Sequence, residues 1–280
     1  MTDVLRYTAF ATDPAGGNPA GVVLDASALS DEQMLAIAAE VGYSESAFLT
    51  PGPDGVERSY RIRFFSPVAE VDFCGHATVA TAVALGELRG TGEYTLHTNA
   101  GPVPVSVTER DGSLKATLTS VDPRVKDVAR SDVDEALAAL GWRADELDPA
   151  FPPRVSNAGV NQLILAAATR ERLADLDYDF DRLRLLMEKL ELTTVQLVWR
   201  ESESVYHVRD PFPVGGVVED AATGAAAAAL GAYLRELDLV PEAARLILHQ
   251  GYDMGRPSLL EVELRAGDRR VRVSGAAAAL

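Results

Sequence analysis

The stretch YSESAFLTPG, residues 43–52, places a single carboxylate, Glu45, at the start of an apolar run. The alternation of aromatic and aliphatic side chains predicts a β-strand that enters a core. The nearest Lys or Arg along the chain is Arg58. A carboxylate in an apolar pocket can take a proton from carbon and return it near neutral pH. Glu45 is therefore a candidate acid–base, and a solvated carboxylate at a strand edge is the alternative.

Three more side chains lie beside glycines at predicted helix starts. His76 follows Gly75 in CGHAT, Cys74 precedes the same glycine, and Asp220 stands ahead of Gly224 in EDAATG. Free backbone N–H groups at such helix starts suit an anionic ligand. The alternatives are a structural histidine, a helix cap for Asp220 and a buried, inert thiol for Cys74.

Composition excludes several classes of protein. The 280 residues carry a net charge of −16, which repels nucleic acid and anionic membrane surfaces. No apolar stretch reaches the roughly 18 residues of a membrane span, and the N-terminus has no signal-peptide layout. We therefore expect a cytoplasmic protein that acts on a small molecule and binds neither nucleic acid nor membrane.

The sequence also argues against bound cofactors. One cysteine permits no disulfide or zinc knuckle, and the four histidines are scattered without metal-ligand spacing. None of the three lysines lies beside a phosphate-type loop, as a pyridoxal enzyme would require. The glycine-rich pieces AGGNPAG and PVGGVVED do not match a nucleotide-binding motif. We expect no metal and no cofactor.

An internal duplication is visible in the chain. YRIRFFSPV, which starts at Tyr60, and YHVRDPFPV, which starts at Tyr206, share Tyr, a β-branched residue, Arg, Pro and Val at a constant offset of 146. Weaker echoes link GNPAGVVL with GVNQLIL and the helical patterns SDEQMLAIAAEV and DFDRLRLLMEKL, which Ser30 and Asp179 could cap. In each half a helix made almost wholly of small apolar residues follows, near Ala77 and near Ala225, and such a helix is buried.

These motifs together resemble the PhzF-like family, named for the phenazine-biosynthesis isomerase, within the diaminopimelate epimerase-like fold. The resemblance rests on GGNPAGVVL, YSESAFL, FCGHAT, SNAGVNQLIL, EDAATGAA and QGYDMGRPSLLEVEL, in this order along nearly the whole chain. It implies an α+β fold of two pseudo-symmetric lobes, each a mostly antiparallel, barrel-like sheet wrapped around a central helix. We expect an N-terminal lobe over residues 1–122, completed by a strand over 266–280, and a C-terminal lobe over 123–265.

The resemblance also implies the chemistry. Its members use no cofactor or metal, form homodimers and act in a cleft between the lobes. The glutamate that matches Glu45 shuttles a proton between substrate carbons, and residues that match His76 and Asp220 bind and orient the substrate. We expect four further substrate-binding residues: Gly75, Thr223, Gly224 and Asn18.

Three positions depart from the family pattern. Ala225 replaces a serine after ATG, Ala221 replaces a proline, and Ser46 replaces a common threonine. The first change removes a hydroxyl that could contact the substrate. The sequence thus predicts a cofactor-independent isomerase acting on a small carboxylate-bearing metabolite. The alternatives are a family member without turnover that binds a ligand or a protein, and a thiol-dependent racemase that uses Cys74.

Overall fold

The computed structural model describes residues 2–53, 55–110 and 112–280. The chain forms two compact units. Unit one comprises Met1–Thr119 and Ser274–Leu280, and unit two comprises Ser120–Val273.

Unit one contains a ring of eight paired strands and one short added strand, β5. Its strands and helices are β1 Leu5–Ala9, β2 Asn18–Val23, α1 Asp31–Val41, β3 Glu45–Pro51, β4 Ser59–Phe65, β5 Glu70–Val71, α2 Gly75–Arg89, β6 Gly92–Thr98, β7 Gly101–Arg110 and β8 Ser113–Thr119. The end of β17 Asp268–Ala279 joins them.

Strand pairing closes this sheet on itself. Among the described residues the neighbours run β1, β2, β3, β4, β6, β7, β8, β17 and back to β1, while β5 adds only to β4. The β2–β3 and β4–β6 pairs are parallel. Helix α2 packs against β1, β2, β3, β7 and β8 and is buried from His76 to Gly86. Unit one is therefore a closed barrel around an apolar helix.

Unit two carries further strands of the same sheet and its own apolar helix. Its elements are β9 Arg124–Asp127, α3 Arg130–Leu140, β10 Arg154–Asn157, β11 Asn161–Ala166, α4 Arg170–Ala174, α5 Phe180–Leu190, β12 Leu192–Arg200, β13 Val205–Pro211, β14 Glu219–Asp220, α6 Gly224–Glu236, β15 Ala244–Gln250, β16 Ser258–Arg265 and the start of β17. Short 3-10 turns lie at Ala144–Glu146, Pro213–Gly215 and Tyr252–Met254.

The pairing in unit two runs β9, β10, β11, β12, β13, β15, β16, with β14 added to β13. Helix α6 packs against β9, β10, β11 and β16. Helices α3 and α5 cover the other side of the strands with a separate apolar cluster that includes Leu137, Leu183 and Leu197. The mixed α+β class and the burial of both small-residue helices are confirmed.

Local signals explain several element boundaries. Ser30 forms a capping box with Gln33 at the start of α1, and Asp179 accepts a hydrogen bond from the Arg182 backbone N–H at the start of α5. Each bond satisfies a backbone donor that a helix start leaves open. Both predicted caps are confirmed. None of the described helices combines the length and the apolar character needed to cross a membrane.

Candidate active site

Glu45 is the first residue of β3. Ser46, Ala47, Phe48 and Leu49 behind it are buried, so the strand is fixed by its core residues and its first side chain lies at the rim. The Glu45 side chain retains 16 % of its accessible surface. It is therefore neither a freely solvated carboxylate nor a fully buried one, and a substrate atom can reach it.

His76 is held by α2 and by Asn18 of β2. Its side chain is buried, and Asn18 Nδ2 lies 3.2 Å from His76 Nδ1. An amide nitrogen can only donate, so Nδ1 accepts, and the ring hydrogen of the neutral imidazole is on Nε2. The Asn18 contact thus selects one tautomer of His76.

That tautomer aims its N–H at the candidate acid–base. His76 Nε2 lies 3.5 Å from Glu45 Oε2 and 3.4 Å from Ser44 Oγ. An N–H at this position can orient the Glu45 carboxylate while leaving its other oxygen available. The structure therefore brings together Asn18, Glu45, Gly75 and His76, four predicted site residues from three separate segments of unit one.

Cys74 lies in the same group. It is the N-cap of α2, is buried, and has its Sγ 3.4 Å from His76 Nδ1. Ligand atoms of Glu45, Cys74 and His76 all lie within 4.8 Å of one another, close enough to hold one metal ion. Spacing along the chain does not reveal this set, because Glu45 lies in β3 and the other two residues lie at the start of α2.

The predicted residues of unit two form a second polar group. Thr223 Oγ1 donates to Asp220 Oδ2 at 2.6 Å, and Gly224 is the first residue of α6. Gln250 of β15 joins the two: its Oε1 accepts from the Thr223 backbone N–H at 2.9 Å, and its Nε2 donates to the Asp220 carbonyl at 2.9 Å. This network fixes the Asp220 carboxylate at the entrance to α6.

The alternative reading of Asp220 as a helix cap is wrong. Asp220 ends β14, and Thr223 is the N-cap of α6 without a side-chain capping bond. The Thr223 hydroxyl instead donates a hydrogen bond to this carboxylate.

Sequence reasoning missed Ser44 and Gln250 as members of these groups. Both lie inside motifs that carry the family resemblance, YSESAFL and QGYDMGRP. Gln250 is buried, and a buried amide that bonds to two other site residues acts in positioning them. The signal was therefore present, but only the fold shows which partners these side chains find.

Comparison with known proteins gives the family. The sequence model of the phenazine biosynthesis-like protein family, PhzC-PhzF, matches residues 7–280. The chain is 34 % identical over 281 residues to the trans-2,3-dihydro-3-hydroxyanthranilate isomerase of Pseudomonas aeruginosa, covering 97 % of this chain and 94 % of that protein. It is 30 % identical over 279 residues to an uncharacterized isomerase, YfhB, of Bacillus subtilis, covering 97 % and 94 %.

Solved structures agree. A predicted epimerase from Pseudomonas aeruginosa superposes with a TM-score of 0.88 at 32 % identity, covering 100 % of this chain and 97 % of that one. A PhzF-family protein of Bacillus anthracis gives a TM-score of 0.87 at 27 % identity, covering 99 % and 96 %. A probable proline racemase from Agrobacterium radiobacter, at 14 % identity, covers 98 % and 89 % with a TM-score of 0.69 and shares the fold. The chain is an isomerase and belongs to the PhzC-PhzF family of phenazine biosynthesis-like proteins.

Proposed function

We propose that this isomerase moves a proton between two carbons of a small carboxylate-bearing metabolite, with Glu45 as the single acid–base and no cofactor. The observation that carries the proposal is the contact between Glu45 Oε2 and His76 Nε2 at 3.5 Å, with Asn18 setting the tautomer of the ring. A neutral imidazole N–H orients a carboxylate without removing its charge.

The chemistry balances without an oxidant. The Glu45 carboxylate takes a proton from a substrate carbon, and the C–H electron pair enters a conjugated double bond. The carboxylic acid that has formed returns the proton to a second carbon, and the double bond shifts. Glu45 ends the cycle ionised, and the substrate keeps its redox state.

We propose that Asp220, Thr223 and Gly224 bind the substrate and that Asn18 and Gly75 support His76 as it orients the substrate. Asp220 is fixed by Thr223 and Gln250, so it offers a positioned acceptor for a hydroxyl or ammonium group. The homodimer stays a prediction.

A first substrate to test is trans-2,3-dihydro-3-hydroxyanthranilate, because a relative that is 34 % identical is named as its isomerase. It bears a carboxylate, as the proposal requires. Substrate selectivity is expected to differ from that of relatives with serine at the position of Ala225, since alanine offers no hydroxyl there.

The experiment compares wild type, Glu45→Gln and Glu40→Gln in a screen that starts with this compound and continues through related unsaturated carboxylates. Glu40 is an exposed carboxylate near the end of α1 and serves as the matched control. Glu45→Gln keeps the shape but removes the base, so its turnover is expected to fall by roughly 10²–10⁴. Glu40→Gln is expected to match wild type.

Turnover in D₂O gives a second readout. Deuterium is expected at one defined carbon of the product, unless the proton returns before it exchanges with solvent. Equal turnover by wild type and Glu45→Gln would rule out the role of Glu45. Tight binding without turnover by wild type would instead favour the alternative in which the protein is a binding module.

A further inference from the structure

Asp210 is a carboxyl group that the proposed reaction does not use. It lies in β13, has no solvent exposure, and pairs across the sheet with Asp220 of β14. Residues directly opposite in an antiparallel pair have side chains on the same face, about 5 Å apart at Cβ. Asp210 is therefore the buried neighbour of the carboxylate proposed to bind substrate.

The number of hydrogens around Thr194 bears on whether Asp210 holds a proton. Thr194 Oγ1 contacts both Gln162 Oε1 and Asp210 Oδ1, the latter at 2.9 Å. The Gln162 atom is an oxygen, because the Thr194 backbone N–H donates to it at 2.9 Å. A hydroxyl has one hydrogen. If Thr194 gives this hydrogen to Gln162, its contact with Asp210 is favourable only when Asp210 donates.

The charges around Asp210 favour the same state. Burial, Asp220 and Glu219 all raise the pKa of Asp210 well above its ordinary value, and burial is the largest cause. The adjacent cation, Arg209, is bound to Glu219 and to the Ala174 carbonyl. Contacts with the neutral side chains of Thr194 and Gln196 lower the pKa of Asp210, but burial outweighs them.

In unit one, the cross-strand pair that corresponds to Asp210 and Asp220 contains no acidic residue. The 146-residue offset that matches Arg63 with Arg209 also matches Phe64 with Asp210. Phe64 pairs with Val71 across β4 and β5, as Asp210 pairs with Asp220 across β13 and β14. Two apolar side chains can therefore fill this position of the sheet. Packing alone does not explain why unit two has two acidic residues there.

We propose that Asp210 is a neutral carboxylic acid in the folded protein and a positioning residue for Asp220, at the head of a hydrogen-bond chain from Asp210 through Thr194 to Gln162. While Asp210 holds its proton, Asp220 is the one ionised carboxylate of the pair. When Asp210 loses the proton, two like charges face each other at the polar group that Asp220, Thr223 and Gln250 form.

The effect on binding rests on the proposed function, in which Asp220 binds substrate. Ionised Asp210 would add negative charge behind that site and repel a carboxylate-bearing substrate. KM should then rise at alkaline pH while kcat changes less, because Asp210 touches neither the substrate nor Glu45.

The first test needs no substrate and uses the pH dependence of unfolding. The unfolded chain loses the Asp210 proton near the ordinary pKa of about 4, whereas the folded protein keeps it to higher pH. Above that pKa the unfolded chain therefore binds fewer protons, and stability falls as pH rises. This one proton contributes a tenfold increase in the unfolding constant per pH unit, until the folded protein also releases it.

Asp210→Asn keeps the shape and donates to Thr194 through its amide, but it cannot ionise. Urea unfolding between pH 5 and 7 is followed by tryptophan fluorescence, since Trp142 and Trp199 both lie in unit two. In Asp210→Asn, the fall of the unfolding free energy with rising pH is expected to be smaller by the amount that one proton contributes. Asp268→Asn is the control: its pKa of about 2 leaves it ionised above pH 5, so the slope should equal that of wild type.

Equal slopes for wild type and Asp210→Asn would overturn the proposal. Should Asp210→Asn fail to fold, Asp210→Leu removes the same proton with an apolar side chain. Infrared spectra of wild type at pH 7 give an independent readout, the carbonyl stretch of a protonated acid, which the variant should lack. Absence of that band in wild type would also overturn the proposal.

The kinetic test compares KM and kcat across alkaline pH. Wild type is expected to show a rise in KM that Asp210→Asn lacks. A changed unfolding slope without this difference in KM would keep the neutral acid but remove its role in positioning Asp220. If wild type and Asp210→Asn show the same pH dependence of unfolding, the inference about Asp210 fails, whether or not Glu45 proves to be the base.

Discussion

Cys74 is the side chain that competes most directly with Glu45 for the role of base. Its Sγ lies 3.4 Å from His76 Nδ1, a geometry in which a thiol can pass its proton to an imidazole. Asn18 contacts the same nitrogen at 3.2 Å. Because a neutral ring nitrogen has one lone pair, the Asn18 contact opposes this proton transfer. A second thiol is absent, since the chain has one cysteine.

We therefore expect Cys74→Ala to keep most of the turnover, within about threefold of wild type. A role as nucleophile or base would instead cost roughly 10²–10⁴. The assay is the one used for Glu45→Gln, with Cys74→Ser as the matched variant, which replaces the thiol at the N-cap with a hydroxyl. A loss in both variants as large as that of Glu45→Gln would restore the thiol-dependent alternative.

The candidate site could be predicted from sequence only where a motif carried it. Glu45, His76 and Asp220 became candidates through S-E-x-x-F, CGHAT and EDAATG, whereas the pattern of residues alone slightly favoured a surface carboxylate for Glu45 and a helix cap for Asp220. Asp210 gave no signal, because it lies in a run of otherwise ordinary strand residues. Its importance depends on burial and on one shared hydroxyl hydrogen, which only the folded chain provides.

Helices α2 and α6 owe their place against the sheets to small residues. A Cβ on Gly86 would lie 2.7 Å from Val107 Cγ1, and a Cβ on Gly231 would lie 2.8 Å from Val262 Cγ1. Both distances are shorter than real Cβ contacts allow, so a neighbour must move. These two glycines therefore set how closely each helix approaches its strands.

Gly86→Ala and Gly231→Ala are each expected to destabilise the protein. Alanine gains up to about 1 kcal/mol of helix propensity, but overpacking a core costs typically 1–3 kcal/mol, and the second effect dominates at these distances. Urea denaturation measures the difference. Leu88→Ala on the exposed face of α2 is the control, with an expected change within about 0.5 kcal/mol. If either glycine variant were more stable than wild type, the neighbouring strands could move to accept the added Cβ, and the prediction would be wrong.

Helices and strands could be predicted where the sequence carries a local boundary signal, such as a helix cap. The capping box at Ser30 and the cap at Asp179 fixed α1 and α5, and the apolar alternation after Glu45 located β3. The pairing of the strands could not be read in this way. The parallel contacts β2–β3 and β4–β6 join segments separated by a helix, and their register depends on packing around α2.

For the whole molecule, the pairing of β17 with β1 closes the barrel of unit one. Phe10 N–H donates to Ala276 O at 2.7 Å, and Leu280 N–H donates to Arg6 O at 2.9 Å. Hydrogen-bonded pairs alternate along antiparallel strands, so the pair between these two, Thr8 and Ala278, belongs to the same bonded set.

Ala278→Pro is therefore expected to open this edge, because proline has no N–H to donate. The unpaired acceptor left behind costs roughly 1–3 kcal/mol. Hydrogen exchange should show faster exchange in β1 and in α2, which packs against it. Ala278→Val keeps the N–H and controls for the added side-chain bulk. Unchanged protection of α2 in the proline variant would mean that the helix does not depend on closure of the barrel.

The same closing strand sets an order of events at the ribosome. Strands β1 to β8 emerge first, then all of unit two, and only afterwards the residues of β17 that fill the gap between β8 and β1. Until then the nascent barrel has two open edges, which can pair with other chains. The part of the protein that carries Glu45 is thus made before unit two and completed after it, so slow release of β17 would prolong its exposure to chaperones or to aggregation.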